Sequence, residues 1–427
     1  MHNPPLKIAI VGLGYVGLPL AVSLAHHFAV TGFDINTIRI ADLKQGLDKT
    51  YEIDRATLQS TPLALTHTVE DLRGKDVYIV TVPTPVTPQN TPDLSCLQSA
   101  SEMIGKVMQK GAIVVFESTV YPGVTEDFCG KVLAEQSGLV CGVDFFLGYS
   151  PERINPGDKH HTVNSITKVV AGQTPEIAKT LNTIYGSMNE GRIFIASSIK
   201  TAEAAKVIEN AQRDINIAFV NEITTIVNKL GLSIYDVLDA ANTKWNFLPF
   251  QPGLVGGHCI GVDPYYLAHC ARTLNIDPDV ILAGRRINES MGAFMADQIY
   301  EALQRLEPSR SDFKVLILGL TFKENIPDLR NTKVIDLIQA LKTKGCMIAV
   351  HDAFADPIEA QTLLGMPLAS LSTAADYDCV VSAVAHQPYT QFSTEDLTRL
   401  LRPQGLVADL KRIWKDKKPV GMAYWTL

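Results

Sequence analysis

The chain has 427 residues, of which 46% are hydrophobic and 19% charged, and its formal net charge is −7 at pH 7. Such a length exceeds one ordinary core and predicts two or three globular domains, with no bias towards disorder. The acidic balance, with a pI of about 5.8, offers no field favouring nucleic acid or an anionic membrane, and no apolar stretch approaches the ~20 residues needed to cross a bilayer.

The N-terminus reads as a strand within a few residues and shows no secretory leader. Seven scattered cysteines without CxxC spacing argue against a disulfide framework or a zinc knuckle, so a reducing cytoplasm is the expected compartment. The first third alternates short apolar runs with helical periods, the signature of a parallel α/β sheet. Strands are expected at 7–11, 29–33, 77–82, 112–117, 145–149 and 168–171. The Pro- and Thr-rich stretch 83–92 follows a strand and reads as a loop at the carboxyl edge of the sheet, where α/β ligands collect.

Gly12-Leu13-Gly14-Tyr15-Val16-Gly17 is a GxGxxG directly after the first strand and before a helix expected over 18–27. Gly12 permits the tight turn, Gly14 lets the backbone approach a pyrophosphate, and Gly17 allows close helix–strand packing. The free N–H groups and positive dipole end of the helix favour the phosphates. Asp34 closes the second strand, where a carboxylate bonds both ribose hydroxyls and repels a 2′-phosphate, so NAD is expected; Arg39 nearby leaves NADP open.

From about residue 198 to 231 the pattern predicts one long helix ending at a glycine, a spine between domains and a possible subunit contact. Lys206 and Asn210 on it are four apart and share a face. A lone Lys–Asn pair is ordinarily solvated; buried, the two would stabilise an oxyanion. Gly256-Gly257-His258-Cys259 then offers a cysteine in a glycine frame, with Asp263 four residues on. Most cysteines are buried packing groups, but a thiolate near Lys206 would be a nucleophile. His258 reads as structural, and His160-His161 lack the carboxylate or cysteine spacing of a metal site.

The polar run 307–311 marks a boundary. Beyond it a second βα series is expected, with strands at 314–319, 347–351, 379–383 and 406–409. Its first turn, Gly319-Leu320-Thr321-Phe322-Lys323, lacks GxGxxG and so suits a mononucleotide rather than a second dinucleotide. The expected fold is α/β: two Rossmann-like parallel-sheet domains, 1–197 and 309–427, joined by a helical central domain, 198–308.

GLGYVGLPLA, FESTVYPG, SPERINPGD, AAKVIENAQRDINIAFVNE, GGHCIGVDPYYL, GLTFKENIPDLRNT and ADLK occur in that order. Together they resemble the UDP-glucose/GDP-mannose dehydrogenase family across roughly residues 7–411, and most resemble its branch acting on UDP-N-acetylhexosamines. That resemblance implies NAD-dependent, four-electron oxidation at C6 of UDP-N-acetylglucosamine or UDP-N-acetylgalactosamine, for surface polysaccharide synthesis; the long helix suggests a homodimer or higher homo-oligomer. UDP-glucose and UDP-N-acetylmannosamine are the neighbouring substrates, and a single-step 3-hydroxyacid-type dehydrogenase or a non-catalytic NAD-binding regulator are the rival readings.

The resemblance also implies residue roles. Cys259 would be the nucleophile, Lys206 and Asn210 would cradle the oxyanion, and Asp263 would act as base or hold the water network. Thr119 would order the catalytic water and Glu152 would lie near the reacting carbon. Tyr15, Val16, Pro83, Thr84, Thr119 and Lys323 would join the cofactor site. Arg153, Phe250, Gly253, Gly256, Gly257, Phe322, Lys323 and Arg330 would meet the UDP-sugar. UDP-glucose enzymes of the family carry a second glutamate four residues after the first. Pro156 stands there, which supports the acetamido-sugar branch and leaves the hydrolytic base unassigned.

Overall fold

Successive apolar residues, as in Ile8 to Val11, suit strands covered on both faces, and the chain builds two sheets of this kind. The computed structural model describes residues 6–153, 164–257 and 260–427. It divides into two compact units, Met1–Glu209 with Tyr265–Asp277 and Asn210–Pro264 with Pro278–Leu427.

In the first unit, strands β1 (Lys7–Val11), β2 (Ala29–Phe33), β3 (Ala64–Thr66), β4 (Val77–Val80), β5 (Ile113–Phe116), β6 (Phe146–Tyr149), β7 (Lys168–Gly172) and β8 (Ile193–Ile195) form one sheet in the order β3-β2-β1-β4-β5-β6-β7-β8. Ile8 and Ile10 pack with Leu18 and Leu24 of the helix Gly17–Ala25, whereas Ala9 and Val11 pack with Leu97 and Ile104 of the helix Ser95–Val107. The strand order reverses between β1 and β4, so the loops after these two strands flank the switch point where dinucleotides bind.

One pairing departs from the expected parallel sheet. β6 and β7 run antiparallel, with Gly148 opposite Gly172. An antiparallel neighbour needs no crossover helix. The strands not anticipated from sequence, β3, β8 and β13 (Ala423–Trp425), are three residues each and lie at sheet edges. Strands that short carry too few residues to show an alternation.

The second unit holds β9 (Lys314–Leu318), β10 (Met347–His351), β11 (Tyr377–Ser382), β12 (Leu401–Ala408) and β13 in the order β10-β9-β11-β12-β13, every pairing parallel. Val315 and Ile317 face a core shared with Val220, Val227, Met291, Ile299, Leu337 and Leu341, while Leu316 and Leu318 face Leu397 and Trp414. The long helix spans Ile199–Lys229 and stops before Gly231, whose φ of +72° suits glycine. Among the described residues no helix is long and apolar enough to cross a membrane.

Candidate active site

The first unit presents the glycine turn as the sequence predicts, and each glycine is explained by its surroundings. Gly12 has φ +97°, and its N–H donates to the Phe33 carbonyl at 2.8 Å. A Cβ on Gly17 would lie 1.9 Å from the Gly12 carbonyl oxygen and 2.4 Å from Thr81 Oγ1, so only glycine fits. A Cβ on Gly14 would meet nothing within 4 Å; that residue is exposed, leaving its backbone open to a ligand. No side chain caps the helix Gly17–Ala25, although the Leu18 N–H already donates to the Gly14 carbonyl at 3.2 Å; an uncapped helix start of this kind favours an anion. Tyr15 and Val16 in the turn are half-buried.

Asp34 accepts the Leu13 N–H at 2.9 Å and the Asn36 N–H at 2.8 Å. The guanidinium of Arg39 is turned inwards: Nε donates to the Leu13 carbonyl at 2.9 Å and an η nitrogen lies 2.8 Å from Asp48. The residues present therefore fit a dinucleotide, with an uncapped helix start, an open Gly14 backbone and a carboxylate at the end of β2.

The neighbouring loops are tied to each other. Thr84 Oγ1 donates to the Thr119 carbonyl at 2.7 Å, and Ser118 Oγ to the Val82 carbonyl at 2.6 Å. Tyr266 Oη donates to the Thr84 carbonyl at 2.9 Å, while Pro83 stays exposed. Thr119 and Thr84 thus share one rim at the carboxyl ends of β4 and β5.

Glu152 sits just beyond β6, almost fully buried, in a charge network that sequence spacing did not reveal. Lys168 Nζ, itself fully buried, donates to Glu117 Oε2 at 2.6 Å and to Glu152 Oε2 at 3.0 Å. Tyr185 Oη donates to Glu117 Oε1 at 2.6 Å, and the Arg153 N–H donates to Glu152 Oε1 at 2.6 Å. Burial pushes the Lys168 ammonium down, but the two carboxylates outweigh it and hold it above its ordinary range; burial pushes the Tyr185 hydroxyl well up, so it stays a donor. The Arg153 side chain pairs with Glu209 at 2.8 Å. Only the apolar neighbours of Glu117 and Lys168 on their strands hinted at buried charge.

Lys206 lies on the long helix, 8% exposed, and among the described residues its ammonium has no ion-pair or hydrogen-bond partner. Asn210, one turn further, belongs to the second unit by compactness. Its amide Nδ2 donates to Asp263 Oδ2 at 2.5 Å, both residues being buried. Pro156, His160, His161, His258 and Cys259 lie outside the described residues.

The segment leading to Cys259 is anchored from within the second unit. Asn221 Nδ2 donates to the Gly253 carbonyl at 3.0 Å, and Asn221 Oδ1 accepts the Gly253 N–H at 2.9 Å. A Cβ on Gly256 would lie 2.5 Å from the Asn331 carbonyl oxygen, and one on Gly257 (φ +82°) 2.7 Å from the Phe322 ring. Close approach of the chain itself therefore requires these glycines, a reason beyond the UDP-sugar contact that the resemblance implies. Phe250 is half-buried and packs against the same core.

The turn after β9 repeats the geometry of the first, without its sequence. Gly319 has φ +97° and donates to the His351 carbonyl at 2.8 Å, as Gly12 does to Phe33. Asp352 accepts the Leu320 N–H at 2.5 Å and the Thr321 N–H at 3.0 Å, the counterpart of Asp34. His386 Nδ1 accepts the Asn325 N–H at 2.9 Å, which places its proton on Nε2, 3.0 Å from Asp352.

A small open cleft lies beside this turn, lined by Leu254, Gly256, Phe322, Glu324, Lys333 and Lys411. Lys323 is half-buried next to it, and Arg330 is held in a fork by Asp328 at 2.5–3.1 Å. Lys411 and Lys333 are cations of this cleft that the sequence reading left unassigned. The signal for Lys411 was the ADLK motif at the carboxyl end of β12, where α/β sites draw their ligands.

The family models for the UDP-glucose/GDP-mannose dehydrogenase family match in order: NAD binding domain over residues 6–189, central domain over 200–290 and UDP binding domain over 316–416. The chain is 50% identical over 414 residues to UDP-N-acetyl-D-glucosamine 6-dehydrogenase of Pseudomonas aeruginosa, spanning 97% of this chain and 98% of that protein. It is 50% identical to Protein CapL of Staphylococcus aureus, over 99% of both chains. The solved UDP-D-ManNAc dehydrogenase of Pyrococcus horikoshii superposes with a TM-score of 0.89 at 32% identity, over 99% of both chains. The chain is a member of the UDP-glucose/GDP-mannose dehydrogenase family.

Proposed function

We infer that this protein oxidises C6 of a UDP-N-acetylhexosamine, UDP-N-acetylglucosamine or its C4 epimer, from primary alcohol to carboxylate for surface polysaccharide synthesis. The observation that carries this reading is the near end-to-end 50% identity to the Pseudomonas aeruginosa enzyme named for that activity.

Bound NAD supplies the hydride acceptor for each two-electron step. The turn from Gly12 to Gly17, with Tyr15 and Val16, would hold its pyrophosphate, Asp34 its adenosine ribose, and Pro83, Thr84 and Thr119 would complete its site. The Cys259 thiolate adds to the aldehyde carbon produced by the first oxidation, forming a thiohemiacetal that keeps one C6 hydrogen. Loss of that hydrogen as hydride leaves a thioester, and water then replaces sulfur, giving the carboxylate and the free thiol. Lys206 and Asn210 oppose the negative charge that develops on the C6 oxygen. Asp263 fixes the Asn210 amide, while Thr119 and Glu152 serve the water.

Phe322, Lys323, Arg330 and Lys411 take the UDP moiety, with Phe250, Gly253, Gly256, Gly257 and Arg153 completing the sugar-nucleotide site. Exposed Phe219 and Ile226 on the long helix support a homodimer, and cytoplasmic placement agrees with the free cysteines found among the described residues.

A panel of UDP-sugars compared by kcat/KM tests the substrate. The N-acetylhexosamines of gluco or galacto configuration are expected to exceed UDP-glucose and UDP-N-acetylmannosamine by tenfold or more, the scale set by about 1.4 kcal/mol of differential binding. Preference for UDP-glucose overturns the substrate assignment.

A further inference from the structure

Lys168 is fully buried at the start of β7, and its ammonium bridges the carboxylates of Glu117 and Glu152. Burying a lysine is costly unless its charge is matched, and a leucine would fill such a place with less demand. The network does more than satisfy one cation. Glu117 follows β5, Glu152 follows β6, Lys168 opens β7 and Tyr185 comes from the helix Pro175–Gly186, so four elements converge on a single charge cluster. The Tyr185 ring also lies 5.5 Å from the ammonium, on its π face. Both oxygens of Glu152 are engaged, one by Lys168 and one by the Arg153 N–H, which leaves its carboxylate plane a single orientation.

We propose that Lys168 is a positioning residue for Glu152, fixing the orientation and ionisation of that carboxylate, with Glu117 and Tyr185 holding the ammonium in place. The inference rests on the reading that Glu152 serves the reaction as an ionised carboxylate. Two neighbours act on Glu152 in opposite senses. The cation of Lys168 favours its charged form and the anion of Glu117 disfavours it. A network that only stabilised the fold would leave no such opposite signature in the kinetics.

The test is the pH profile of kcat, with NAD and UDP-N-acetylglucosamine, for wild type, Lys168→Gln, Lys168→Arg, Glu117→Gln and Glu152→Gln. Lys168→Gln should lower kcat at neutral pH roughly 10- to 100-fold, up to the low end of what positioned proton-transfer groups contribute. Its KM should stay within a few-fold and its acid limb should move to higher pH. Lys168→Arg should recover most of the loss, and Glu117→Gln should move the acid limb to lower pH. If Lys168→Gln fails to fold, the Glu117→Gln shift decides alone. Folded variants with wild-type kcat and unmoved limbs, while Glu152→Gln is inactive, overturn the positioning role and leave Glu152 standing. Full turnover by Glu152→Gln removes the reading beneath it, and the proposal falls with that reading.

Discussion

The amide of Asn210 donates to the carboxylate of Asp263 across 2.5 Å, both groups buried and far apart in sequence. One sits on the long helix and the other opens the helix Asp263–Thr273, four residues after Cys259. A charge-assisted bond of this length fixes the amide plane, so Asn210 presents a preorganised group rather than a mobile one. Asp263→Asn should therefore lower kcat by about 10²–10³, the range seen when a donor to a developing oxyanion is lost or misplaced. KM should change little, because the bond matters where charge develops. Steady-state kinetics check this; a rise in KM with intact kcat would assign Asp263 to ground-state binding.

Gly14 and Gly17 should respond differently to the same methyl group. At Gly17 the added carbon meets backbone that cannot yield, so Gly17→Ala should lose roughly 1–3 kcal/mol of stability along with NAD binding. At Gly14 the space is open. Gly14→Ala should keep its melting temperature and bind NAD more weakly, through obstruction of the phosphate approach alone. Thermal melts beside fluorescence titration with NADH separate the two.

Much of this was legible in the sequence, and the failures have causes. The GxGxxG turn, Asp34 and the long strands stand out because strong local rules govern them. Lys168 and Glu117 did not, since their partnership joins residues 51 apart through the fold and no motif records it. The second glycine turn was legible only in part: Gly319 and Asp352 repeat the roles of Gly12 and Asp34, while the other glycines are absent. Gly256 and Gly257 are expected from the resemblance to meet the UDP-sugar, whereas Asn331 and Phe322 fill the space beside them. Such tertiary packing leaves no mark on spacing.

Asp352 predicts an acid-labile element in the second unit. Burial pushes its carboxyl up, but His386 and the backbone N–H groups of Leu320 and Phe354 outweigh it and hold it well below the usual range. A carboxyl with a folded pKa below its unfolded value of ~4 stabilises the fold above that pH, and the contribution fades as pH falls towards the folded value. Asp352→Asn should cost about 1–3 kcal/mol at pH 7 and flatten the loss of stability below pH 4. Urea midpoints measured between pH 7 and pH 3 check the sign.

Lys411 lines the cleft beside the turn after β9, and its ammonium lies 3.9 Å from the Glu324 carboxylate. Lys411→Met should raise KM for the UDP-sugar roughly tenfold, equivalent to about 1.4 kcal/mol, and leave NADH affinity unchanged. Binding of UDP alone, followed by calorimetry, should weaken by the same factor.

A four-electron oxidation through Cys259 fixes the stoichiometry of NADH to sugar consumed. With limiting UDP-N-acetylglucosamine and excess NAD, two NADH and one uronic acid should form per sugar, and no acid from Cys259→Ala. One NADH per sugar with the aldehyde as product, or acid formed by Cys259→Ala at the native rate, would contradict it.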